Sequence, residues 1–128
     1  MIVDSSALIA ILLGEPGHET LMEKAGRAEV LFLGAPAALE TAMVLCSRLQ
    51  KDARPMLSSF LRGMNVEIID FSEAHYETAI AAFLRFGKGH HPAALNFGDC
   101  ISYALATGSG LPLLYSGTDF SRTDVQGA

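Results

Sequence analysis

The chain has 128 residues, of which 50% are hydrophobic, and its mean hydropathy is +0.31. This length and composition predict one domain, residues 1–128, with a core of its own, and they exclude a disordered chain. Nine lysines and arginines against 14 aspartates and glutamates give a net charge of −5. That balance argues against a protein that coats nucleic acid through bulk positive charge.

Apolar runs and helical periodicity alternate along the chain. They predict strands at Met1–Val3, Val30–Leu33, Val66–Ile69 and Leu111–Tyr115, with a short fifth strand at Asp124–Gln126. The first strand is followed by a helix that Ser5 or Ser6 caps and that ends at Leu13. Further helices are predicted at His18–Ala28, from Pro36 to Leu49, and at Arg54–Met64, Ser72–Phe86 and Asp99–Thr107, with a loop at Gly87–Asn96. This order predicts βαβ units and therefore an α/β fold with a mostly parallel, four- to five-stranded sheet that helices cover on both faces.

The N-terminus and the cysteines bear on the expected compartment. No basic segment precedes the apolar stretch Ala7–Leu13, so we expect no secretory signal. No apolar run reaches the ~18–20 residues that a bilayer crossing requires. Two cysteines, Cys46 and Cys100, are too few for a disulfide framework. We therefore expect a cytoplasmic protein with no membrane contact.

Four acidic residues stand near predicted strand ends or in apolar surroundings. Asp4 ends the first strand, Asp119 follows the fourth, Asp99 lies in the first turn of a helix, and Glu40 lies among apolar neighbours in another helix. Ligands of parallel sheets bind outside the carboxyl ends of the strands, so we expect at least two of these acids to share one edge. Converging carboxylates need a cation, and oxygen ligands without His or Cys favour Mg²⁺ or Mn²⁺. The residue types predict metal-dependent phosphoryl chemistry.

Other interpretations of these residues stay open at this point. In a non-catalytic interaction domain, the acids would only cap helices and form turns. A phosphoaspartyl enzyme or receiver domain also places Asp at a strand end with Mg²⁺, but haloacid-type phosphatases have a second Asp where this chain has Ser6. A Cys–His hydrolase would use Cys100 with His90 or His91. The apolar neighbours of Cys100 favour a packing role instead.

A basic strip lies between Glu77 and Asp99, where the chain has no acidic residue. It contains Arg85 and Lys88 together with the two adjacent histidines. We expect Arg85 and Lys88 to contact RNA phosphates, which position a substrate without reading its bases. The alternative is an ordinary solvated loop after a helix that ends with an arginine.

Four segments resemble one family. The segment IVDSSAL at 2–8 resembles the opening strand and helix of the PIN-domain ribonucleases, and ALETA at 38–42 is similar to their second acidic motif. The segment FGKGHHPAALNFGDCISYALA at 86–106 is close to a stretch typical of the VapC toxins of bacterial toxin–antitoxin pairs. PLLYSGTDFSRTD at 112–124 is similar to their C-terminal motif. The resemblance spans nearly the whole chain with all segments in order.

The resemblance implies a PIN-like three-layer α/β/α fold and a Mg²⁺-dependent endoribonuclease, with Mn²⁺ as a possible substitute. It also implies a cognate antitoxin protein and a homodimer. The implied acidic site consists of Asp4, Glu40, Asp99 and Asp119. Within it, Asp4 and Asp99 would hold the principal metal, with Ser6 and Asn96 as supporting polar residues. Ser116 and Thr118 depart from the family pattern, where Lys and Asp or Asn are frequent, so no further contact is expected from them.

Overall fold

The structure, a computed structural model, describes residues 1–128 and contains four strands, six α-helices and one 3₁₀ turn. The strands are β1 (Ile2–Val3), β2 (Leu31–Gly34), β3 (Val66–Ile69) and β4 (Leu113–Leu114). The helices are α1 (Ser5–Leu13), α2 (His18–Gly26), α3 (Ala35–Leu49), α4 (Arg54–Gly63), α5 (Glu73–Phe86) and α6 (Phe97–Ser109), and the 3₁₀ turn is Phe120–Arg122. No helix has the length and apolar character that a membrane crossing requires.

The four strands form one parallel sheet in the order β3-β2-β1-β4. Strand β1 is central, with Ile2 opposite Phe32 of β2 on one side and Leu113 of β4 on the other. The chain therefore winds from β1 to β3 in one direction and returns to the opposite side of β1. Such a reversal opens a crevice at the carboxyl ends of the strands, where parallel sheets bind ligands.

Helices pack on both faces of the sheet and enclose two hydrophobic clusters. Because strand side chains alternate between faces, Val3 and Leu114 join the cluster with α1, α3 and α4. Ile2 and Leu113 join the cluster with α5 and α6 on the other face. The predicted three-layer α/β/α architecture with a parallel sheet is confirmed.

Several predicted boundaries are wrong. Residues 124–126 form no fifth strand, and only an isolated bridge joins Leu113 to Gly127. Helix α1 is capped by Asp4, whose carboxylate accepts a hydrogen bond from the Ser6 N–H, and not by Ser5 or Ser6. Helix α6 begins at Phe97, two residues earlier than predicted, because Asn96 supplies its N-cap. Both ends are set by capping hydrogen bonds, which hydrophobic periodicity does not show.

Candidate active site

Asp4 lies at the carboxyl end of the central strand, where only 2% of its surface is exposed. Its Oδ2 accepts hydrogen bonds from the backbone N–H of Ser6, at 2.9 Å, and from the Ser6 hydroxyl. Its Oδ1 accepts a hydrogen bond of 2.6 Å from the Ser102 hydroxyl of α6. Three donors thus hold the carboxylate in one orientation, which satisfies a polar group that burial would otherwise penalise.

Ser6 connects this strand end to the segment after β4. While its hydroxyl donates to Asp4, its oxygen accepts a hydrogen bond of 3.1 Å from the Ser116 backbone N–H. Ser6 therefore contacts both the end of β1 and the segment after β4. Ser116 contributes its backbone to this link.

Glu40 lies on α3 and faces the first turn of α6. Its Oε2 accepts a hydrogen bond of 2.9 Å from the Ser5 hydroxyl, so its surroundings are less apolar than the sequence suggests. A Cβ atom at Gly98 would lie 2.7 Å from the same oxygen. The absence of a side chain at position 98 therefore makes room for the Glu40 carboxylate beside α6.

Asp99 occupies the third position of α6 and forms a capping box with Asn96. The Asn96 Oδ1 accepts a hydrogen bond from the Asp99 N–H at 3.0 Å, and the Asn96 N–H donates to Asp99 Oδ2 at 2.9 Å. The pKa of Asp99 is raised to about 6, with burial as the largest cause; the hydrogen bond from the Asn96 N–H opposes the rise, and the charges of Asp4, Asp119 and Glu40 add to it.

Asp119 is exposed and begins the 3₁₀ turn that follows β4. Its side chain makes no capping hydrogen bond there. Its charge reaches Asp99, as do those of Asp4 and Glu40. The structure thus brings Asp4, Glu40 and Asp119 within electrostatic reach of Asp99, from β1, α3 and the segment after β4.

The charge balance of this cluster fits a divalent cation. No lysine, arginine or histidine forms an ion pair with any of the four acids. No three His, Cys, Asp or Glu side chains are grouped closely enough to hold one metal ion among them. Carboxylate oxygens without His or Cys are the ligand type that hard divalent cations prefer.

A family model of the PIN domain matches residues 1–126. The chain belongs to the PIN-domain family.

Relatives of this PIN domain agree with that assignment. A ribonuclease VapC from Mycolicibacterium smegmatis is 41% identical over 125 residues, covering 98% of this chain and 97% of the relative. Ribonuclease VapC36 from Mycobacterium tuberculosis is 40% identical over 127 residues, covering 98% of this chain and 91% of the relative. The predicted resemblance to PIN-domain ribonucleases of the VapC type is confirmed.

A solved structure shares the fold of this PIN domain. The crystal structure of Mycobacterium tuberculosis VapC20, described as a toxin that cleaves the sarcin–ricin loop, superimposes with a TM-score of 0.80. It covers 99% of this chain and 97% of its own, at 20% sequence identity. At this level of identity the match supports the fold.

In the PIN domain, His90, His91 and Cys100 make packing contacts. His90 and His91 pack edge-on against Phe83 and Phe86, and His91 Nδ1 accepts a hydrogen bond from the Ala93 N–H. Cys100 is buried, and burial with the nearby Asp99 charge raises its pKa to about 11. The thiol is therefore neutral at neutral pH, which argues against a Cys–His hydrolase.

The basic strip of the PIN domain is partly neutralised. Arg85 forms a 2.7 Å ion pair with Asp124 and lies 4.5 Å from the centre of the Phe86 ring. Lys88 is exposed and has no carboxylate partner. Arg122 is also exposed without a carboxylate partner, and its Nη1 donates to the Pro92 carbonyl at 3.1 Å.

Sequence reasoning missed four residues that touch or flank the site: Ser5, Gly98, Ser102 and Arg122. Two of them had a usable signal. Ser102 follows Asp99 by three residues, a spacing that places both on one helix face. Arg122 follows Asp119 by three residues and lies next to the basic strip through its bond to Pro92.

Proposed function

We propose that this chain is a Mg²⁺-dependent endoribonuclease, the toxin of a toxin–antitoxin pair, that hydrolyses RNA phosphodiester bonds at the four-carboxylate cluster. Asp99 carries the proposal, because it is a half-buried carboxylate with three acidic neighbours and no cationic side chain to offset them. We further propose that the chain acts in the cytoplasm as a single PIN domain over residues 1–128, with Mn²⁺ as a substitute metal.

The proposed roles follow from how firmly each carboxylate is held. Asp4 and Asp99 are the principal metal ligands, with Asp4 already oriented by its three donors. Glu40 and Asp119 complete the cluster through water. When bound, the metal supplies an activated water nucleophile and stabilises the charge that develops on the phosphoryl group. Ser6 and Asn96 keep Asp4 and Asp99 in place through their hydrogen bonds.

RNA would approach along the basic strip. Lys88 and Arg122 are the cations without carboxylate partners on this side of the site, and Arg122 keeps most of its guanidinium donors available. Arg85 also belongs to the predicted RNA contact, but its ion pair with Asp124 offsets part of its charge. Phosphate contacts of this kind position the strand without selecting a sequence.

The proposed homodimer has a surface that suits it. Large apolar side chains of α3, α5 and α6 are exposed: Leu39, Met43, Tyr76, Ile80, Leu84 and Phe97. Phe97, which is 83% exposed, stands between two apolar grooves of about 370 and 460 Å³. Exposed apolar patches of this kind typically mark protein–protein interfaces, so we propose that a second copy covers this one.

The proposed antitoxin is a small protein that docks an amphipathic helix by its apolar face. The composition suggests an apolar groove between the first helices as its docking place. The two apolar grooves described above lie instead against α6, next to Glu40 and Cys100. Light scattering of the chain alone tests the homodimer, and light scattering with the antitoxin tests the complex of the two proteins. A chain that stays monomeric and binds no antitoxin contradicts both proposals.

The decisive experiment is cleavage of total RNA by the purified chain with Mg²⁺ and with EDTA, followed by mapping of the new ends. We expect cleavage with Mg²⁺ and none with EDTA. Asp99→Asn is the control for a contaminating nuclease, because its preparation should be inactive under both conditions. Binding of Mn²⁺ without RNA cleavage would favour the phosphoaspartyl alternative, and the absence of both would favour the interaction domain.

A further inference from the structure

Ser102 is a buried serine of α6 whose hydroxyl is aimed at the proposed metal site. It is 1% exposed, and its Oγ donates to Asp4 Oδ1 at 2.6 Å across 98 positions of sequence. A serine inside a helix commonly bonds the carbonyl four residues earlier, as Ser109 of the same helix does with Leu105 at 2.7 Å. Ser102 makes its hydrogen bond to another element instead.

We propose that Ser102 is a positioning residue that fixes the Asp4 carboxylate for metal binding, an inference that depends on the proposed roles of Asp4 and Asp99. Ser6 of α1 holds one oxygen of Asp4, and Ser102 of α6 holds the other. Two hydroxyls from different helices oppose rotation of the carboxylate about its terminal bond. The orientation of this ligand is therefore set before a cation arrives.

Ser102 also links the two carboxylates that would share the ion. Asp99 lies three residues before Ser102 on the same helix, and Asp4 lies at the end of β1. The hydrogen bond from Ser102 to Asp4 therefore sets where the first turn of α6 stands relative to the strand end. Hydrogen-bond partners of metal ligands commonly tune metal affinity in this way.

The test is Mn²⁺ binding to the full chain, measured by calorimetry for wild type, Ser102→Ala and Ser109→Ala. We expect the Ser102→Ala change to weaken Mn²⁺ binding by about 10- to 100-fold. Ser109→Ala is the matched control, since it removes a serine hydroxyl from the same helix but away from the site. It should leave the Kd within about twofold.

Two further variants keep the test decisive. Ser102→Cys preserves the volume of the side chain but offers only a weak donor, so it should also weaken binding, and it replaces Ser102→Ala if that variant does not fold. Ser102→Thr keeps the hydroxyl and should restore the affinity. An unchanged Kd in a folded Ser102→Ala or Ser102→Cys chain overturns the role of Ser102. A wild-type chain that binds no Mn²⁺ overturns the proposed function itself.

Discussion

Two junctions of the molecule each supply one of the proposed metal ligands, and they hold it in different ways. At the junction of β1 and α1, Asp4 is buried and accepts three hydrogen bonds, two of them from Ser6 and one from Ser102. At the junction of the basic loop and α6, Asp99 is less buried and accepts one backbone hydrogen bond, from Asn96.

The difference shows two ways of preparing a carboxylate for a cation. The Asp4 junction is ordered by neutral donors, which fix the geometry of the ligand. The Asp99 junction concentrates negative charge, and its raised pKa records the cost of ionising this carboxyl without a cation. Loss of either carboxylate should therefore stop catalysis. In the metal-free protein, loss of the Asp99 charge should raise the stability and loss of the Asp4 charge should lower it.

The largest expected effect comes from removing either charge. Asp4→Asn and Asp99→Asn should each reduce RNA cleavage by more than about 100-fold, because stabilisation by a bound metal is worth several kcal/mol. Asparagine caps helices as well as aspartate does, so the fold should survive. Cleavage assays on both variants check this, with Cys100→Ser as a control that should keep activity within a few-fold. A lethal Cys100→Ser change, with EDTA harmless, would contradict the nuclease mechanism.

A smaller effect is expected from Gly98→Ala, which acts on the Asp99 junction through Glu40. The added Cβ would lie 2.7 Å from Glu40 Oε2, so the Glu40 carboxylate must move. Cleavage should fall by roughly 10-fold, since small displacements in active sites have large effects on rate. The melting temperature should stay the same or rise, because alanine is favoured over glycine in a helix by up to ~1 kcal/mol.

Gly108→Ala serves as the matched control for that change. It adds the same methyl group to α6, where its nearest neighbour is His75 at 3.7 Å. Its cleavage rate should equal that of wild type. Equal rates for both glycine variants would show that the position of Glu40 does not matter for the reaction.

The metal-free protein should melt at a higher temperature near pH 5 than near pH 8. The pKa of Asp99 rises from 3.8 to about 6 on folding, so the folded state takes up a proton before the unfolded state as pH falls. The destabilisation by Asp99 is complete above pH 6 and is relieved as pH drops toward 3.8. Because Asp99 is partly exposed, we expect the free energy of unfolding to change by about 1–2 kcal/mol between these pH values. This corresponds to a difference of several degrees in melting temperature.

Thermal melts in EDTA at both pH values separate the two junctions. At pH 8 the Asp99→Asn variant should melt above wild type, although weaker interaction with the helix dipole opposes this by ~0.3–1 kcal/mol. The Asp4→Asn variant should melt below wild type, because it weakens charge-assisted hydrogen bonds worth about 1–3 kcal/mol. Mg²⁺ should stabilise wild type at pH 8. If Asp99→Asn melts lower and Mg²⁺ stabilises neither protein, these acids act as caps.

The smallest expected effect concerns the basic strip beside Asp99. A plot of log binding constant against log salt concentration has a negative slope. Lys88→Ala and Arg122→Ala should each make this slope less steep by roughly 0.7 on single-stranded RNA. Arg85→Ala should change the steepness of this slope by a smaller amount, because Arg85 already pairs with Asp124. Binding of a labelled RNA at several salt concentrations, with inactive Asp99→Asn as the background, measures all three. An unchanged slope in the Lys88/Arg122 double variant would place the RNA elsewhere.

Much of the fold and the identity of the four acids could be predicted from the sequence. Strand β2 lies mostly within the continuous apolar run Val30–Leu33, and the parallel order of β1, β2 and β3 follows from the helices between them. Asp4 could be named as a candidate site residue because it ends a buried strand. The start of α6 was not, since it depends on the capping box between Asn96 and Asp99.

Hydrophobic periodicity predicted an α/β fold with a parallel sheet, and the resemblance of four motifs to the PIN-domain ribonucleases implied the PIN-like architecture and the four candidate acids, because both are local properties of the chain. Only the tertiary structure decided how the acids are held. The hydrogen bond from Ser102 to Asp4, the space that Gly98 leaves for Glu40 and the ion pair of Arg85 with Asp124 join segments far apart in sequence. Such contacts depend on how the helices dock on the sheet, and docking is set by packing of the whole core.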